Sequence, residues 1–300
     1  MMRSITITML TLFPVFAAAQ ERIYGKSDSI AIERILEKHS ATEYRSTGEL
    51  ALAVAQEFIG KRYVAGTLEN GKAEPLYISC DKLDCTTFVE LVTAITISIG
   101  HNKKRFGDVC MNLERVRYRG GTRDGYASRL HYTSWWIEDN ISKGIIREMT
   151  EECTHRYRTL DLCFMSKHPE SYTSLKEDTT MQKRIEELEI PFRGIKSSYI
   201  PKEYLNDKEK IKHIRNGDII ALVTTIEGLD ISHIGFACWK DGRLHLLHAS
   251  SGKGKVINDT TTLYEYQRNK SKQIGIKVIR ITSDTYNQKK MTYYENIAVL

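Results

Sequence analysis

The chain has 300 residues, 41% hydrophobic and 27% charged, with a formal net charge of +6. That length can bury a full core without a disulfide framework, and one catalytic domain carrying an insertion is the natural expectation. The charge is mild and no Lys/Arg run is interleaved with aromatics, which excludes a nucleic-acid surface and leaves an anionic polymer as a fitting partner.

Met1-Met2-Arg3, an apolar run over residues 5–16 and Ala17-Ala18-Ala19 before Gln20 form a basic end, a greasy core and a small-residue cleavage site. Residues 1–19 therefore read as a signal peptide, with 20–300 the mature domain. The run is shorter than the roughly 20 apolar residues of a spanning helix, so no membrane span is expected after cleavage. With no Cys at the cleavage site, a lipid-modified Cys is not expected.

Ile30, Ile32, Ile35 and Leu36 predict a helix over 29–38. Leu50, Val54 and Phe58, four apart, predict another over 46–59, opened by a Ser46/Glu49 capping box and stopped by Gly60. Residues 63–68 read as extended. From Asp84, the set Phe88, Leu91, Val92 and Ile95 predicts a helix with one buried face, ended by Gly100. Residues 101–200, with Trp135 and Trp136 in the middle and a helix over 181–189 closed by Pro191, read as an elaboration between two halves of a fold. Strands are then expected over 217–223, 232–239, 243–249 and 275–281. Helices first and an antiparallel sheet last make an α+β layout.

Asp84-Cys85-Thr86-Thr87-Phe88 puts a Cys in the first helical turn, with Asp84 as N-cap. Unpaired N–H groups and the positive end of the helix dipole favour a thiolate there, and the same amides can hold an oxyanion. Asp241-Gly242 between Lys240 and Arg243 is a two-residue hairpin turn. Counting back, His233 falls opposite Ser250 and His248 opposite Gly235, so His233, Gly235 and His248 share a face and the histidines are diagonal neighbours. His248 can then fix the tautomer of His233, leaving its other nitrogen to take the thiol proton. His245 lies an odd number of residues from His248 and should face away.

The same alternation argues against a zinc pair at His245 and His248, and Cys153, His155, Cys163 and His168 follow no zinc spacing, so neither metal nor organic cofactor is expected. Six cysteines at irregular spacings do not make a disulfide scaffold. A nucleophilic Cys85 leaves five, so at least one more is a free thiol, with Cys238 the candidate; pairing of Cys153 with Cys163 stays open.

With Asp84-Cys85 opening a helix, Asn216-Gly217-Asp218-Ile219 opening a strand, Ser232-His233-Ile234-Gly235, His248-Ala249-Ser250, and Tyr63 ahead of the Cys helix, the chain resembles the NlpC-type cysteine peptidases of bacterial cell walls. The resemblance implies a papain-like fold, the nucleophile helix packed on an antiparallel sheet, with Cys85 as nucleophile, His233 as base and His248 as third member. Thr86-Thr87 departs from the usual Ser-Gly, and the stretch from Cys85 to His233 is long. From Phe58-Ile59-Gly60 through Leu83 to Glu90, with Arg129 and Asn140, the chain is similar to a subfamily of N-acetylmuramoyl-L-alanine amidases acting on anhydro-muropeptides. That implies a peptidoglycan fragment as substrate, an exported, periplasmic enzyme of a Gram-negative bacterium, and a 101–200 insertion shaping a sugar pocket. Tyr63, Asp84, Thr86, Arg129, Tyr132, Trp136 and Ser232 are the expected substrate contacts: aromatic faces for sugar stacking and Arg129 for a peptide carboxylate. A monomer is expected. The rival activities are a γ-D-glutamyl-diaminopimelate endopeptidase and a non-catalytic wall-binding protein.

Overall fold

The structure is a computed structural model and describes residues 21–69 and 74–282, so the expected signal peptide lies outside the described residues. Strand β1 (Arg22–Ile23) leads into helices α1 (Lys26–Ser40) and α2 (Thr47–Gln56). The short strands β2 (Arg62–Tyr63), β3 (Leu76–Tyr77) and β4 (Lys82–Leu83) precede α3 (Cys85–Gly100), α4 (Phe106–Arg117) and α5 (Thr133–Ser142). Next come β5 (Ile146–Glu148), α6 (Thr150–Cys153), β6 (Tyr157–Asp161), α7 (Phe164–Lys167), α8 (Thr179–Glu189), β7 (Arg193–Ser198) and β8 (Ile200–Pro201). The C-terminal part is β9 (Ile219–Thr224), β10 (Ile231–Lys240), β11 (Arg243–Ser250), β12 (Lys255–Asn258), α9 (Leu263–Arg268) and β13 (Gln273–Ile281). Of the stretch expected to be extended, only Tyr63 lies in a strand, as the last residue of β2.

Among the described residues, a nine-stranded sheet runs β4-β2-β12-β11-β10-β9-β13-β5, with β8 also on β13. Its pairings are antiparallel except β2 with β4. The fold is α+β. Asp241 and Gly242 hold φ of 51° and 67°, the two left-handed residues a two-residue hairpin turn needs, and they fix the register from Lys240↔Arg243 to Phe236↔Leu247.

Helix α3 departs from the expected single buried face. Phe88, Val92, Ala94 and Ile95 are fully buried, but so are Thr93, Thr96 and Ser98. The helix is enclosed by α1, α2 and α4 and by β10 and β11. Burial of its polar positions is tolerated where they close their own bonds: Thr96 Oγ1 donates to the Val92 carbonyl and Ser98 Oγ to that of Ala94, both at 2.8 Å. Phe88 meets Phe58 and Phe236 edge-on, at 6.0 and 5.6 Å between ring centroids, which seats the N-terminal half of α3 against β10.

Residues 101–200 share this core. Arg117 of α4 and Glu90 of α3 form a buried ion pair at 2.7 Å, with a second Arg117 bond to the Tyr77 carbonyl. Strands β5 and β8 extend the main sheet through β13, while β6 and β7 pair with each other. All six cysteines are free thiols, so Cys153 and Cys163 are not bridged, and Cys238 is buried. Among the described residues no helix is long and apolar enough to cross a membrane.

Candidate active site

The site forms where the first turn of α3 meets β10. Asp84 caps the helix: its Oδ1 accepts the Thr87 N–H at 2.8 Å, and Thr87 Oγ1 accepts the Asp84 N–H at 2.9 Å. Thr87 thus serves where a capping box usually has Glu, which accounts for one of the two threonines after the Cys. The box fixes the entry angle of the chain and so the direction of the Cys85 side chain. The Cys85 sulfur lies in hydrogen-bonding contact with the backbone N–H of Ile234, the residue after His233, and with the hydroxyl and amide of Thr86.

On the sheet, His233 Nε2 and His248 Nδ1 are 2.6 Å apart, their rings nearly perpendicular. Gly235 makes this possible. A Cβ there would stand 2.8 Å from His248 Cβ and from the Leu247 carbonyl oxygen, closer than real Cβ atoms approach. His248 is fully buried, and its Nε2 faces Asp259 Oδ2 at 3.5 Å. Tyr266 meets the His248 ring edge-on at 5.6 Å, and Lys270 Nζ stands 3.3 Å over the centre of the Tyr266 ring.

Electrostatics favour the neutral forms of Cys85 and the two histidines. Burial, then the nearby Asp84 carboxylate, push the Cys85 thiol up to about 11, against the three hydrogen bonds that favour its thiolate. Burial, then His248 and Lys270, pull the His233 imidazole down to about 3. Burial also lowers His248, with Asp259 opposing. At neutral pH the sulfur therefore carries its proton and the imidazole has a free lone pair. With Nε2 occupied by His248, that lone pair is on Nδ1, if Nε2 bears the hydrogen of the His233–His248 bond.

The expected substrate contacts divide. Tyr63 is half-buried and within electrostatic reach of Cys85 and Asp84, and Thr86 is exposed beside the sulfur. Ser232 is exposed next to His233, its hydroxyl donating to the Leu222 carbonyl at 3.3 Å. Asp84 borders the sulfur, but the cap engages its carboxylate. Tyr132 and Trp136 need correction as sugar platforms. Tyr132 is 2% exposed, its hydroxyl donating to Glu189 and accepting from the Met165 N–H, both at 2.7 Å; Trp136 is 4% exposed in α5. Their faces pack inside the core and offer no surface to a sugar ring. Arg129 is likewise not available to a peptide carboxylate: it is buried, held by Glu69 at 2.5 Å, Glu74 at 3.5 Å and the Leu68 carbonyl. In a low-dielectric core a guanidinium must be paired, and these carboxylates do it.

Asp259, Tyr266 and Lys270 were missed by sequence reasoning. The one cue was Asn258-Asp259-Thr260-Thr261, a turn signal, but tying it to His248 needs β12 paired with β11. His245, expected to face away, touches neither His233 nor His248; its Nδ1 donates to the Asp259 carbonyl at 3.1 Å. Among the described residues no group of three or more His, Cys, Asp or Glu is placed to hold a metal ion. A cleft of about 590 Å³ lies at the Asp241–Gly242 end of the hairpin, the opposite end of β10 from His233, and contains none of these residues.

Residues 53–276 match the family described as AmiA-like, N-acetylmuramoyl-L-alanine amidase-like. The chain belongs to this family. It is 34% identical to an N-acetylmuramoyl-L-alanine amidase of Bacteroides uniformis, with a TM-score of 0.75 over 79% of this chain and 99% of that one. A Bacteroides fragilis protein provisionally named a xylanase is 41% identical, with a TM-score of 0.73 over 77% of this chain and 100% of its own. A Legionella pneumophila protein, 23% identical, shares the fold at a TM-score of 0.65 over 85% and 94% of the two chains. No curated protein matches the chain. The AmiA-like family is thus amidase-like, and a peptidoglycan-related substrate follows from its description.

Proposed function

We propose that this protein is an exported, periplasmic cysteine amidase that hydrolyses the bond between the muramyl lactyl group and L-alanine in anhydro-muropeptides, with Cys85, His233 and His248 as its triad in a papain-like, NlpC-type arrangement. The observation that carries the reading is the 2.6 Å His233–His248 contact on the strand whose Ile234 amide touches the Cys85 sulfur. His233 Nδ1 takes the Cys85 proton as the sulfur adds to the lactyl carbonyl carbon, and the oxyanion is held by amides at the start of α3. The tetrahedral adduct collapses to a thioester as His233 returns the proton to the departing L-alanine nitrogen. His233 then takes a proton from water, which attacks the thioester and frees Cys85. The steps require neither metal nor organic cofactor. Tyr63, Thr86 and Ser232 border the scissile bond.

The neighbour named a xylanase raises glycoside hydrolysis as a second reading. That chemistry needs two carboxylates on either side of one bond, about 5–10 Å apart. Asp84 beside Cys85 is closed on Thr87 and Asp259 stands behind His248, so neither is free to flank a glycosidic bond, and amide cleavage is favoured.

Mass analysis of products from a defined anhydro-muropeptide tests the proposal. Free anhydro-disaccharide with an intact stem peptide is expected, and Cys85→Ala should release neither. A shortened peptide left on the sugar would replace the amidase by a γ-D-glutamyl endopeptidase; no cleavage by wild type would favour a wall-binding protein.

A further inference from the structure

We infer that Asp259 is a positioning residue of this site, fixing through His248 the tautomer that leaves His233 able to accept the Cys85 proton. The inference rests on the Cys85–His233 reading above. Two neutral imidazoles joined by one hydrogen bond can be wired in either direction. If His248 carries its hydrogen on Nδ1, it donates to His233 Nε2, the His233 hydrogen sits on Nδ1, and nothing on the free side can take a proton. If His248 carries it on Nε2, its bare Nδ1 accepts from His233 Nε2–H and the lone pair of His233 is on Nδ1.

The surroundings of His248 choose between these. His248 is fully buried, and Nε2 makes no closer hydrogen bond among the described residues than the 3.5 Å approach to Asp259 Oδ2. A bare Nε2 there would set a lone pair against a carboxylate oxygen 3.5 Å away; an N–H turns the same approach into attraction. Lys270, Tyr266 and His245 also surround this end of the site. Lys270 Nζ lies over the Tyr266 ring and Tyr266 meets His248 edge-on, neither hydrogen-bonding Nε2 among the described residues, and the Nδ1 hydrogen of His245 is engaged by the Asp259 carbonyl.

Asp259 is itself held from several directions. Its N–H donates to the Leu246 carbonyl at 2.9 Å, its carbonyl accepts from His245, and Oδ1 accepts from the Thr261 amide at 3.0 Å and hydroxyl at 2.8 Å. Oδ1 is occupied by the turn, so Oδ2 is the oxygen left for His248. His245 acquires a part in the site by anchoring Asp259, without touching the other histidines.

The test reads tautomers in the resting protein, independently of substrate, by long-range ¹H–¹⁵N correlation of the histidine rings at pH 7, with His248→Gln and His233→Gln assigning the signals. Wild type should show hydrogen on Nε2 and bare Nδ1 for both His233 and His248. Asp259→Ala should move the His248 hydrogen to Nδ1 and, with it, the His233 hydrogen from Nε2 to Nδ1. Thr261→Val, which loosens the turn but keeps the carboxylate, should leave both tautomers as in wild type. A wild-type His248 bearing its hydrogen on Nδ1 overturns the inference, as does unchanged wiring in Asp259→Ala. A shift in Thr261→Val equal to that in Asp259→Ala also overturns it, because turn packing would then be the cause. Failure of the amidase reading would appear elsewhere, in the product analysis, and would leave the tautomers untouched.

Discussion

The hairpin of β10 and β11 and the segment from Arg117 to Asn140 both carry chemically suggestive side chains, yet one places them at the site and the other hides them. In the hairpin, a two-residue turn and strict alternation decide where His233 and His248 point, and a sequence count reproduces the register. In the second segment, Trp135, Trp136, Tyr132 and Arg129 look like a substrate-binding set but are all buried. Residue type is the same kind of evidence in both places; it becomes informative only where local geometry also fixes direction.

The sharpest break of this contrast is expected at the reacting groups. Cys85→Ala and His233→Ala should each lower kcat on a muropeptide by about 10³-fold or more, with the thermal midpoint moving only a few degrees. Parallel losses of activity and folding would put both residues among the structural ones. Trp136→Ala should behave in the opposite way, losing about 3–5 kcal/mol in denaturant unfolding while the folded fraction keeps its KM. A raised KM with full stability would restore Trp136 as a sugar platform.

Gly235→Ala probes the boundary between the two kinds of residue. Its Cβ must push His248 or the Leu247 carbonyl, so kcat should fall by up to about 10²-fold from a displacement of 1 Å or less. Wild-type activity in this variant would mean that the close approach of the strands does not position the histidine.

The smallest effect is graded, and it tests the neutral pair. With the thiol held near 11 and the imidazole near 3, the group that alkylates is scarce at pH 7 and grows as pH rises. Iodoacetamide labelling of Cys85 should therefore climb about tenfold per unit between pH 6 and 9, since only thiolate reacts. A rate flat across that range would indicate a thiolate–imidazolium pair at rest.

Much of the fold was legible locally. Ser46 accepts the Glu49 N–H at 3.1 Å as its capping pattern implied, Asp84 caps α3, and the strands at β9, β10, β11 and β13 fall within a few residues of their expected bounds. The caps, the hairpin turn and the alternation along each strand are set within a few residues along the chain, which side-chain order encodes. The helix that opens at Cys85 and the face shared by His233 and His248 were readable for the same reason.

What sequence order could not supply was contact between distant segments. The enclosure of α3 on every side, the Arg117–Glu90 pair, the closure of Glu69 and Glu74 on Arg129 and the approach of Asp259 to His248 all depend on which elements become neighbours. The sequence by itself determined the helix that bears Cys85, the turn that registers two histidines and the alternation that gives them one face. Only the tertiary structure decided which aromatic and charged groups are buried and which acid stands behind the histidines, because burial and pairing arise from chain segments meeting in space rather than from their spacing along it.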